Sequence, residues 1–290
     1  MIKKIGFVGL GTVGRHMAAN LTKSDYDLTV YDPDAEAVAD LVKRGATAGV
    51  SPFHTAKGQD MVIVILPECL GGVDSLIFGE GGVLQGIDPG TIFVDMGTHS
   101  LDTTKKLAEA AIERRVMFLE APVWGTKEHA ANGLLTIVAS GDASLLGRCR
   151  ETFSYFGLNI IHIGGNVGDA TRMKFVVNMV QAELIQALSE GIIFGEKMGF
   201  KADKILEVLD SGGVACPLFH SKGRSIARGD FSRNLALKYV HDQLKQVIET
   251  ARAVDLDLPA AETVCRQYQQ AVLDGRGEED YSAVVKVLRR

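Results

Sequence analysis

Several features that would place this chain in a specialised class are missing from its sequence. Lysine and arginine (31) do not outnumber aspartate and glutamate (36), which leaves a formal net charge of −5. A nucleic-acid-binding domain needs a basic face to neutralise phosphates, so this balance argues against such a partner. No apolar run approaches the 18 residues of a membrane span, and the longest candidate, residues 61–67, suits a buried strand.

Cysteine is scarce and irregularly placed. The four cysteines show no CxxC or Cys/His spacing; they are Cys69, Cys149, Cys216 and Cys265. We expect buried, reduced thiols and a reducing compartment, the cytoplasm. Because no Cys/His/carboxylate ligand set is visible, no metal site is predicted. The N-terminus reaches glycine too early for a signal peptide and offers no small-residue cleavage site, so no leader is expected.

The composition that remains is that of an ordinary globular protein. The chain has 290 residues, of which 46% are hydrophobic and 23% charged. That length exceeds the usual size of one domain and predicts two, and no internal repeat or low-complexity tract is present.

Strand and helix patterns alternate along the N-terminal part of the chain. Strands are predicted at residues 4–9, 27–31, 61–66, 91–95, 116–120, 134–140 and 159–163, and helices at 16–21, 35–44 and 101–114. Such alternation is typical of an α/β fold with a doubly wound, mostly parallel sheet. We therefore predict a Rossmann-type domain over residues 1–163.

After residue 163 the strand patterns stop. Helices are predicted at 169–198, 202–209, 235–254 and 260–274, and residues 276–280 are expected to form a solvated loop. Residues 164–290 are thus predicted to form an all-helical domain for substrate binding and oligomerisation. Its many apolar faces would be buried well against a second copy, so a homodimer or homotetramer is expected.

A glycine motif follows the first strand and precedes the first helix. It is the GxGxxG run Gly9-Leu10-Gly11-Thr12-Val13-Gly14. In this context the first glycine permits a tight turn, the second lets the backbone approach a pyrophosphate, and the third lets the helix pack on the strand. The hexapeptide is weak evidence alone, but its strand–turn–helix setting predicts a dinucleotide site.

An acidic residue ends the second strand, where a dinucleotide-binding fold needs one. Asp32 lies 21 residues after Gly11, the position from which a carboxylate accepts from the adenosine ribose hydroxyls and repels a 2′-phosphate. Since no arginine follows immediately, NAD is predicted to be preferred, with NADP possible. The ordinary alternative is a solvated aspartate beside a glycine turn.

Further strand ends are expected at the same edge of the sheet. Leu66 and Pro67 close the strand 61–66, and Thr98 follows the strand that ends at Asp95. Ligands of open α/β sheets lie beyond the carboxyl ends of the strands, so these residues are predicted cofactor contacts. Val123, Trp124, Gly125 and Thr126 follow the next strand and share this location.

A long helix predicted from about residue 169 to 198 would be roughly 45 Å long and would join the two domains. We expect an apolar stripe on it, made of Met173, Val177, Val180, Leu184, Ala187 and Leu188. Lys174, Asn178 and Gln181 fall at i, i+4 and i+7, on one neighbouring face. We predict that Lys174 faces a cleft between the domains; a surface lysine on a helix is the ordinary alternative.

These motifs together resemble those of the β-hydroxyacid dehydrogenases, which include 3-hydroxyisobutyrate dehydrogenase, tartronate semialdehyde reductase and the glyoxylate/succinic semialdehyde reductases. GLGTVGRHMAANL is similar to the family's cofactor motif, EAPVWGTKEHAANGLLTI to its substrate-loop motif and GDATRMKFVVNM to its catalytic motif. The resemblance covers essentially the whole chain. It implies that Lys174 is the catalytic lysine, that Asn178 is its companion, and that Pro67 and Thr98 contact the cofactor.

The implied chemistry is hydride transfer between a nicotinamide and a small β-hydroxy acid or its semialdehyde. Such a reaction needs a group that takes or gives the hydroxyl proton, and a lysine can do so if burial lowers its pKa toward 7–8. Two alternatives stay open: an imine reductase on the same scaffold, and a non-catalytic dinucleotide-binding interaction module. Both usually lack the lysine that is retained here.

Two departures from the family pattern concern the substrate. Where the family's loop usually reads Val-Ser-Gly-Gly, this chain has Val123-Trp124-Gly125-Thr126, and the family's Lys-Asp pair falls on Asp242-Gln243. The aromatic ring of Trp124 and the acid at Asp242 favour a substrate whose distal group is neutral, hydroxylated or cationic. Lys127 could supply a cation beside the loop. The alternative is a neutral exchange at the rim, compensated by Lys238 or His241.

Overall fold

The structure is a computed structural model that describes residues 2–66 and 71–289. The chain divides into two compact units, Met1–Lys174 and Phe175–Arg290. The domain boundary predicted from the sequence, between residues 163 and 164, remains a prediction; the division into compact units lies between Lys174 and Phe175. No helix within the described ranges combines the length and apolar character that crossing a membrane requires.

The first unit is built on a sheet that has nine strands in the described residues. They are β1 (Lys4–Val8), β2 (Asp27–Tyr31), β3 (Thr47–Ala48), β4 (Met61–Val64), β5 (Ile92–Asp95), β6 (Met117–Glu120), β7 (Val123–Trp124), β8 (Leu135–Ser140) and β9 (Gly157–Gly164). Their order is β3-β2-β1-β4-β5-β6-β8-β7, with β9 paired to β8. β8 runs antiparallel to β6 and β7, and the other pairings are parallel. The predicted α/β class and mostly parallel sheet are confirmed.

The central strands are buried on both faces, which is why they are almost wholly apolar. Along β4, Met61 and Ile63 belong to one core cluster, while Val62 and Val64 belong to the cluster on the opposite face. The two-residue period of a strand divides the side chains in this way. The carboxyl ends of β1, β2, β4 and β5 consequently lie side by side, because these neighbours are parallel.

Helices connect the strands and cover the sheet. They are α1 (Gly14–Leu21), α2 (Ala35–Lys43), α3 (Pro52–Ala56), α4 (Val83–Gly86), α5 (Leu101–Glu113), α6 (Lys127–Ala131) and α7 (Ala143–Ser154), with a π-helical segment at Val73–Phe78. Side-chain caps begin several of them: Asp34 precedes α2, Ser100 precedes α5 and Asp142 precedes α7. Each accepts from amides of the first helical turn, which have no partner within the helix.

The regular elements described in the second unit are all helical. α8 (Asp169–Lys197) begins in the first unit and continues into the second, followed by α9 (Ala202–Ser211), α10 (Pro217–Arg228), α11 (Leu237–Arg252), α12 (Pro259–Ala271) and α13 (Val285–Leu288). A π-helical segment, Val272–Arg276, and a 3₁₀ turn, Tyr281–Val284, lie between the last two. The predicted helical C-terminal domain is confirmed.

The face that α8 buries includes only part of the stripe predicted from the sequence. Ala182, Ile185 and Ile192 are fully buried, whereas Met173 and Val180 are 36% and 44% exposed. The stripe prediction holds for Leu188, which is 1% exposed, and fails for Met173 and Val180. Apolar residues occur on more than one side of this helix, so periodicity alone does not select the buried side.

The predicted solvated loop at residues 276–280 ends in a buried ion pair. Lys222 on α10 donates to both carboxylate oxygens of Asp280, at 2.8 Å each. The two residues are 5% and 1% exposed. Asp280 also accepts from the amides of Asn234 and Ser282. It therefore ties α10, the segment before α11 and the 3₁₀ turn together, and the prediction was wrong for this residue.

The cysteine prediction holds in part. Cys149 is a buried free thiol, and burial raises its pKa to about 12. Cys216 and Cys265 are free but only half-buried, and Cys69 lies outside the described residues.

Candidate active site

The glycine motif forms the turn between β1 and α1. Gly9 adopts a φ of +104°, and a Cβ there would stand 2.3 Å from the carbonyl oxygen of Ile65. At Gly14 a Cβ would stand 2.1 Å from the carbonyl oxygen of Gly9, so α1 packs directly on the turn. Neither position tolerates a side chain. The roles predicted for the first and third glycines thus have a steric basis.

Gly11 differs from these two glycines. No heavy atom of the described chain lies within 4 Å of where its Cβ would stand, and the residue is exposed. Thr12 is exposed and Val13 half-buried, while no side chain caps the first turn of α1. The turn leaves open space in front of a helix N-terminus, which fits the approach of a phosphate group.

Asp32 and the glycine turn are in direct contact. The Asp32 Oδ2 atom accepts from the Leu10 amide at 2.6 Å, and Oδ1 accepts from the Asp34 amide at 2.8 Å. The backbone amide of Gly9 donates to the carbonyl oxygen of Tyr31, which joins the same two strand ends. Asp32 is half-buried, so its carboxylate is oriented but still accessible. The structure thus brings together the residues predicted to hold the pyrophosphate and the ribose.

The ends of β4 and β5 carry the next predicted contacts. Leu66 is buried, and Thr98 is half-buried in the turn after Asp95. Pro67 lies outside the described residues. Asp95 accepts from the Gly97 amide and pairs with the ring of His99 at 3.0 Å, with both side chains buried. This buried pair fixes the turn on which Thr98 stands.

Lys174 lies on the second turn of α8. Its Nζ atom donates to the backbone carbonyl oxygen of Val123, the first residue of the predicted substrate loop. The residue is half-buried, and burial lowers the pKa of the ammonium from the ordinary 10.5 to about 8. An ammonium is destabilised when protein replaces the water around it. Lys174 can therefore change its protonation state near neutral pH, unlike an ordinary surface lysine.

Asn178 follows Lys174 by one helical turn. Its Nδ2 atom is buried, and no atom of the described residues accepts a hydrogen bond from it. A buried amide donor without a partner costs free energy and is uncommon in folded proteins. This donor is accordingly free to bind an oxygen of a ligand.

The predicted substrate loop places its side chains in different settings. Val123 is buried, and Trp124 is 45% exposed. Gly125 adopts a φ of +144°. The Thr126 hydroxyl caps α6 by accepting from the His129 amide, and it also forms a hydrogen bond with His129 Nδ1 at 2.9 Å. The Thr126 hydroxyl thus serves as a helix cap.

Asp242 lies on α11, in the second unit. Its carboxylate accepts from Lys245 Nζ at 2.8 Å, one turn further along the helix. His241 Nδ1 lies 4.0 Å away, and burial lowers the pKa of that imidazole. The acid therefore has a cation beside it, supplied by Lys245.

Sequence reasoning missed Glu120. This carboxylate ends β6 and is buried, and it accepts hydrogen bonds from the amides of Gly168 and Thr171 at the start of α8. An acid that closes an otherwise apolar strand, in the run VMFLE, was the available indication.

Comparison with known proteins places the chain in a family. The model for the NAD binding domain of 6-phosphogluconate dehydrogenase matches residues 4–164, and the model described as NAD-binding of NADP-dependent 3-hydroxyisobutyrate dehydrogenase matches residues 168–288.

Two curated relatives match nearly all of this chain. Glyoxylate/succinic semialdehyde reductase 1 of Arabidopsis thaliana is 30% identical over 286 residues, which cover 99% of this chain and 98% of the plant protein. The cytokine-like nuclear factor N-PAC of Homo sapiens is 33% identical over 284 residues, which cover 98% of this chain but 51% of that protein. The chain thus spans about half the length of N-PAC.

Two solved structures share the fold over their whole length. The 3-hydroxyisobutyrate dehydrogenase of Salmonella typhimurium matches with a TM-score of 0.90 at 25% identity, covering 98% of this chain and 99% of the other. The Mycobacterium tuberculosis 3-hydroxyisobutyrate dehydrogenase, solved with L-serine, matches with a TM-score of 0.85 at 26% identity over 100% of both chains. The chain therefore belongs to the β-hydroxyacid dehydrogenase family, the NAD(P)-dependent hydroxyacid dehydrogenases of the 3-hydroxyisobutyrate dehydrogenase type.

Proposed function

We propose that this protein transfers hydride between NAD(H) and a small β-hydroxy acid or the corresponding semialdehyde, with Lys174 as the general acid/base. The observation that carries the proposal is the state of Lys174. Its ammonium is held on the Val123 carbonyl, and burial lowers its pKa to about 8. A proton-transfer group is most effective when its pKa lies near the working pH.

The proton and the hydride have separate carriers in this reaction. A bound nicotinamide accepts or supplies the hydride. Neutral Lys174 takes the hydroxyl proton when the substrate is oxidised, and the Lys174 ammonium returns a proton to the carbonyl oxygen when it is reduced. Asn178 supports this step, because its buried Nδ2 donor can bind the reacting oxygen in either direction.

Cofactor binding is proposed at the glycine turn. The pyrophosphate would be held by Gly9, Leu10, Gly11, Thr12, Val13 and Gly14, and further cofactor contacts are proposed at Leu66, Pro67 and Thr98. The carboxylate of Asp32 would accept from the ribose hydroxyls and repel a 2′-phosphate, which favours NAD over NADP. The hydrogen bonds that the Leu10 and Asp34 backbone amides donate to Asp32 orient its carboxylate and support this assignment.

Substrate selectivity is proposed to depend on Trp124 and Asp242. Trp124 is the exposed aromatic side chain of the loop that begins at Val123. A ring there would narrow the pocket or stack on the substrate. Because Lys245 pairs with Asp242, the substitution of an acid for the family's lysine leaves little free negative charge. This pairing favours a substrate with a neutral or hydroxylated distal group over a cationic one.

The test is turnover of NAD and NADP with a panel of hydroxy acids and semialdehydes, extended to sugar-acid, sulfonate, amine and imine compounds. We expect the wild type to turn over a hydroxy acid or its semialdehyde and Lys174→Ala to lose at least about 100-fold in kcat. Lys197→Ala, which removes an exposed lysine from the last turn of the same helix, is the control and should keep full activity.

A second candidate function follows from the similarity to N-PAC, a protein named as a nuclear factor. In that case the chain is a dinucleotide-binding interaction module. Binding of NAD by both the wild type and Lys174→Ala, with no turnover by either, would favour the module. Full activity of Lys174→Ala would refute the role of the lysine alone. Assembly as a homodimer or homotetramer, and a cytoplasmic location, remain part of the proposal.

A further inference from the structure

Glu120 ends β6 as a buried carboxylate, 2% exposed. Burying a charged group costs several kcal/mol unless hydrogen bonds and charges around it compensate. Here the two oxygens accept four hydrogen bonds, from Ser140 Oγ (2.7 Å), the Gly168 amide (2.7 Å), the Thr171 amide (2.6 Å) and Thr171 Oγ1 (2.5 Å). The carboxylate is thus fully engaged, and every donor is a fixed group of the same compact unit.

Three of these four donors belong to the start of α8. The amides of Gly168 and Thr171 lie at the helix N-terminus, where backbone N–H groups have no partner within the helix. A negative charge is also favoured there by the helix dipole. Ser140 extends the arrangement, because its Oγ accepts from the Ala170 amide at 3.2 Å while donating to Glu120. One side chain from the sheet therefore fastens the first turn of the helix.

The chain segment that begins at Glu120 contacts α8 a second time. Three residues further on, the Val123 carbonyl accepts from Lys174 Nζ. Lys174 is itself three residues after Thr171, one turn along the helix. The first two turns of α8 are consequently held at two points by residues 120 and 123, and the second point is the proposed acid/base.

We propose that Glu120 is a positioning residue, which places the Lys174 amine by fixing the first turn of α8 against the end of β6. The inference rests on the proposed function, in which Lys174 handles the proton. If the first turn loosens, Lys174 leaves the Val123 carbonyl and becomes hydrated. Displacement of a catalytic group by about 1 Å can cost 100-fold in rate.

The test follows the titration of Lys174 itself, so it needs no turnover. The Cε resonance of Lys174 is recorded against pH in protein labelled with 13C-lysine and is assigned by its absence from Lys174→Arg. Burial is what lowers the pKa of this amine to about 8, so a loosened Lys174 titrates closer to 10.5. Glu120→Gln is the main variant, because it keeps the size of the side chain but removes the charge. It also replaces one accepting oxygen by an NH₂ group, which cannot accept the hydrogen bonds that this oxygen received.

The control is Asp142→Asn. Asp142 caps α7 by accepting from the Leu145 amide at 2.8 Å, so this variant removes a carboxylate cap elsewhere in the same unit. We expect a higher titration midpoint of Lys174 in Glu120→Gln and an unchanged one in Asp142→Asn. Steady-state kinetics should show kcat lowered about 10- to 100-fold in Glu120→Gln, with KM for NAD within about twofold.

A folded Glu120→Gln whose Lys174 midpoint equals that of the wild type would overturn the inference. If that variant does not fold, Thr171→Val and Ser140→Ala each remove one hydroxyl donor and leave the carboxylate in place. A higher midpoint in either supports the inference, and an unchanged midpoint in both contradicts it. A wild type without turnover would instead refute the proposed function, and the resonance would still show whether Glu120 places Lys174.

Discussion

At the scale of the residue, the proposed chemistry depends on how one amine responds to pH. Burial lowers the pKa of Lys174 from 10.5 to about 8. Oxidation of the hydroxy acid needs the neutral amine, so kcat/KM for oxidation should rise as the pH rises through about 8 and then level off. Reduction needs the ammonium, so kcat/KM for reduction should be highest below about pH 8 and fall above it.

The measurement is kcat/KM in both directions between pH 6 and 10, because this ratio reports the groups of the free enzyme. Lys174→Ala serves as the reference and should show neither the rise of kcat/KM for oxidation nor the fall of kcat/KM for reduction near pH 8. Profiles that rise with pH in both directions would contradict the assignment of Lys174.

The carboxylate of Asp32 should decide the choice of cofactor. Asp32→Asn keeps an oxygen that can accept from the Leu10 amide but removes the charge that would repel a 2′-phosphate. A hydrogen bond to a charged group contributes about 1.5–3 kcal/mol, so kcat/KM with NAD should fall roughly 10- to 100-fold. The value with NADP should fall less or rise, and the ratio between the cofactors should narrow.

The comparison is made with both cofactors at one fixed substrate. A useful control is Asp40→Asn, which alters an exposed aspartate on α2 that pairs only with Arg44 among the described residues. A wild type that prefers NADP would contradict the prediction for Asp32.

At the scale of the element, two glycines of the turn between β1 and α1 should have different effects: substitution of Gly14 should lower stability, and substitution of Gly11 should lower NAD affinity. Gly14→Ala would place a Cβ 2.1 Å from the Gly9 carbonyl oxygen, so we expect a lower free energy of unfolding by at least about 1 kcal/mol. The new methyl group of Gly11→Ala meets no atom of the described residues within 4 Å, so the free energy of unfolding should be unchanged. The affinity for NAD should fall, because the methyl group would take the space of the pyrophosphate.

Urea unfolding and NAD titration measure the two effects. Gly147→Ala is the matched control, since Gly147 lies on α7 and an added Cβ there would meet no atom of the described residues within 4 Å. This variant should gain about 0.5–1 kcal/mol in the free energy of unfolding without a change in NAD affinity. Normal NAD affinity of Gly11→Ala would show that the dinucleotide does not bind in front of this turn.

The elements also show which parts of the fold could be predicted. Strands such as β4 and β5 are apolar on both faces and short, and they were located to within two residues. α7 and α10 were missed, because Gly147 and Gly223 interrupt their patterns and tertiary packing overrides such weak local preferences. At Gly223, a Cβ would stand 2.4 Å from Leu206, so the glycine is there for close packing.

Site prediction was limited by a different factor. Gly9, Gly14 and Asp32 are close in sequence to the turn they build, and motif spacing located them. Glu120 acts on residues 48 and 51 positions later in the chain, and no local pattern records that pairing. Contacts between residues far apart in the sequence could therefore be identified only from the structure.

At the scale of the whole molecule, the stability of the second unit should depend on one buried ion pair. Asp280→Ala would leave the Lys222 ammonium buried without its carboxylate, so we expect a loss of about 3–5 kcal/mol in the free energy of unfolding. Glu278→Ala removes an exposed carboxylate two residues away, paired with Arg233 and Lys238, and should cost about 0–1 kcal/mol.

Urea denaturation of the two variants gives the comparison, because both lose one acid from the same short segment. Equal and small losses would mean that water reaches the Lys222 ammonium once Asp280 is gone.

The buried ion pair also limits how far the chain can be shortened from its C-terminus. A chain cut after Glu279 would lose only its last eleven residues, yet the buried Lys222 ammonium would then lose the carboxylate it donates to, since Asp280 is the first residue removed. Peptide tags added after residue 289 should leave the stability of the second unit unchanged. Proteolysis at the 279–280 bond should instead unfold the helices that precede it.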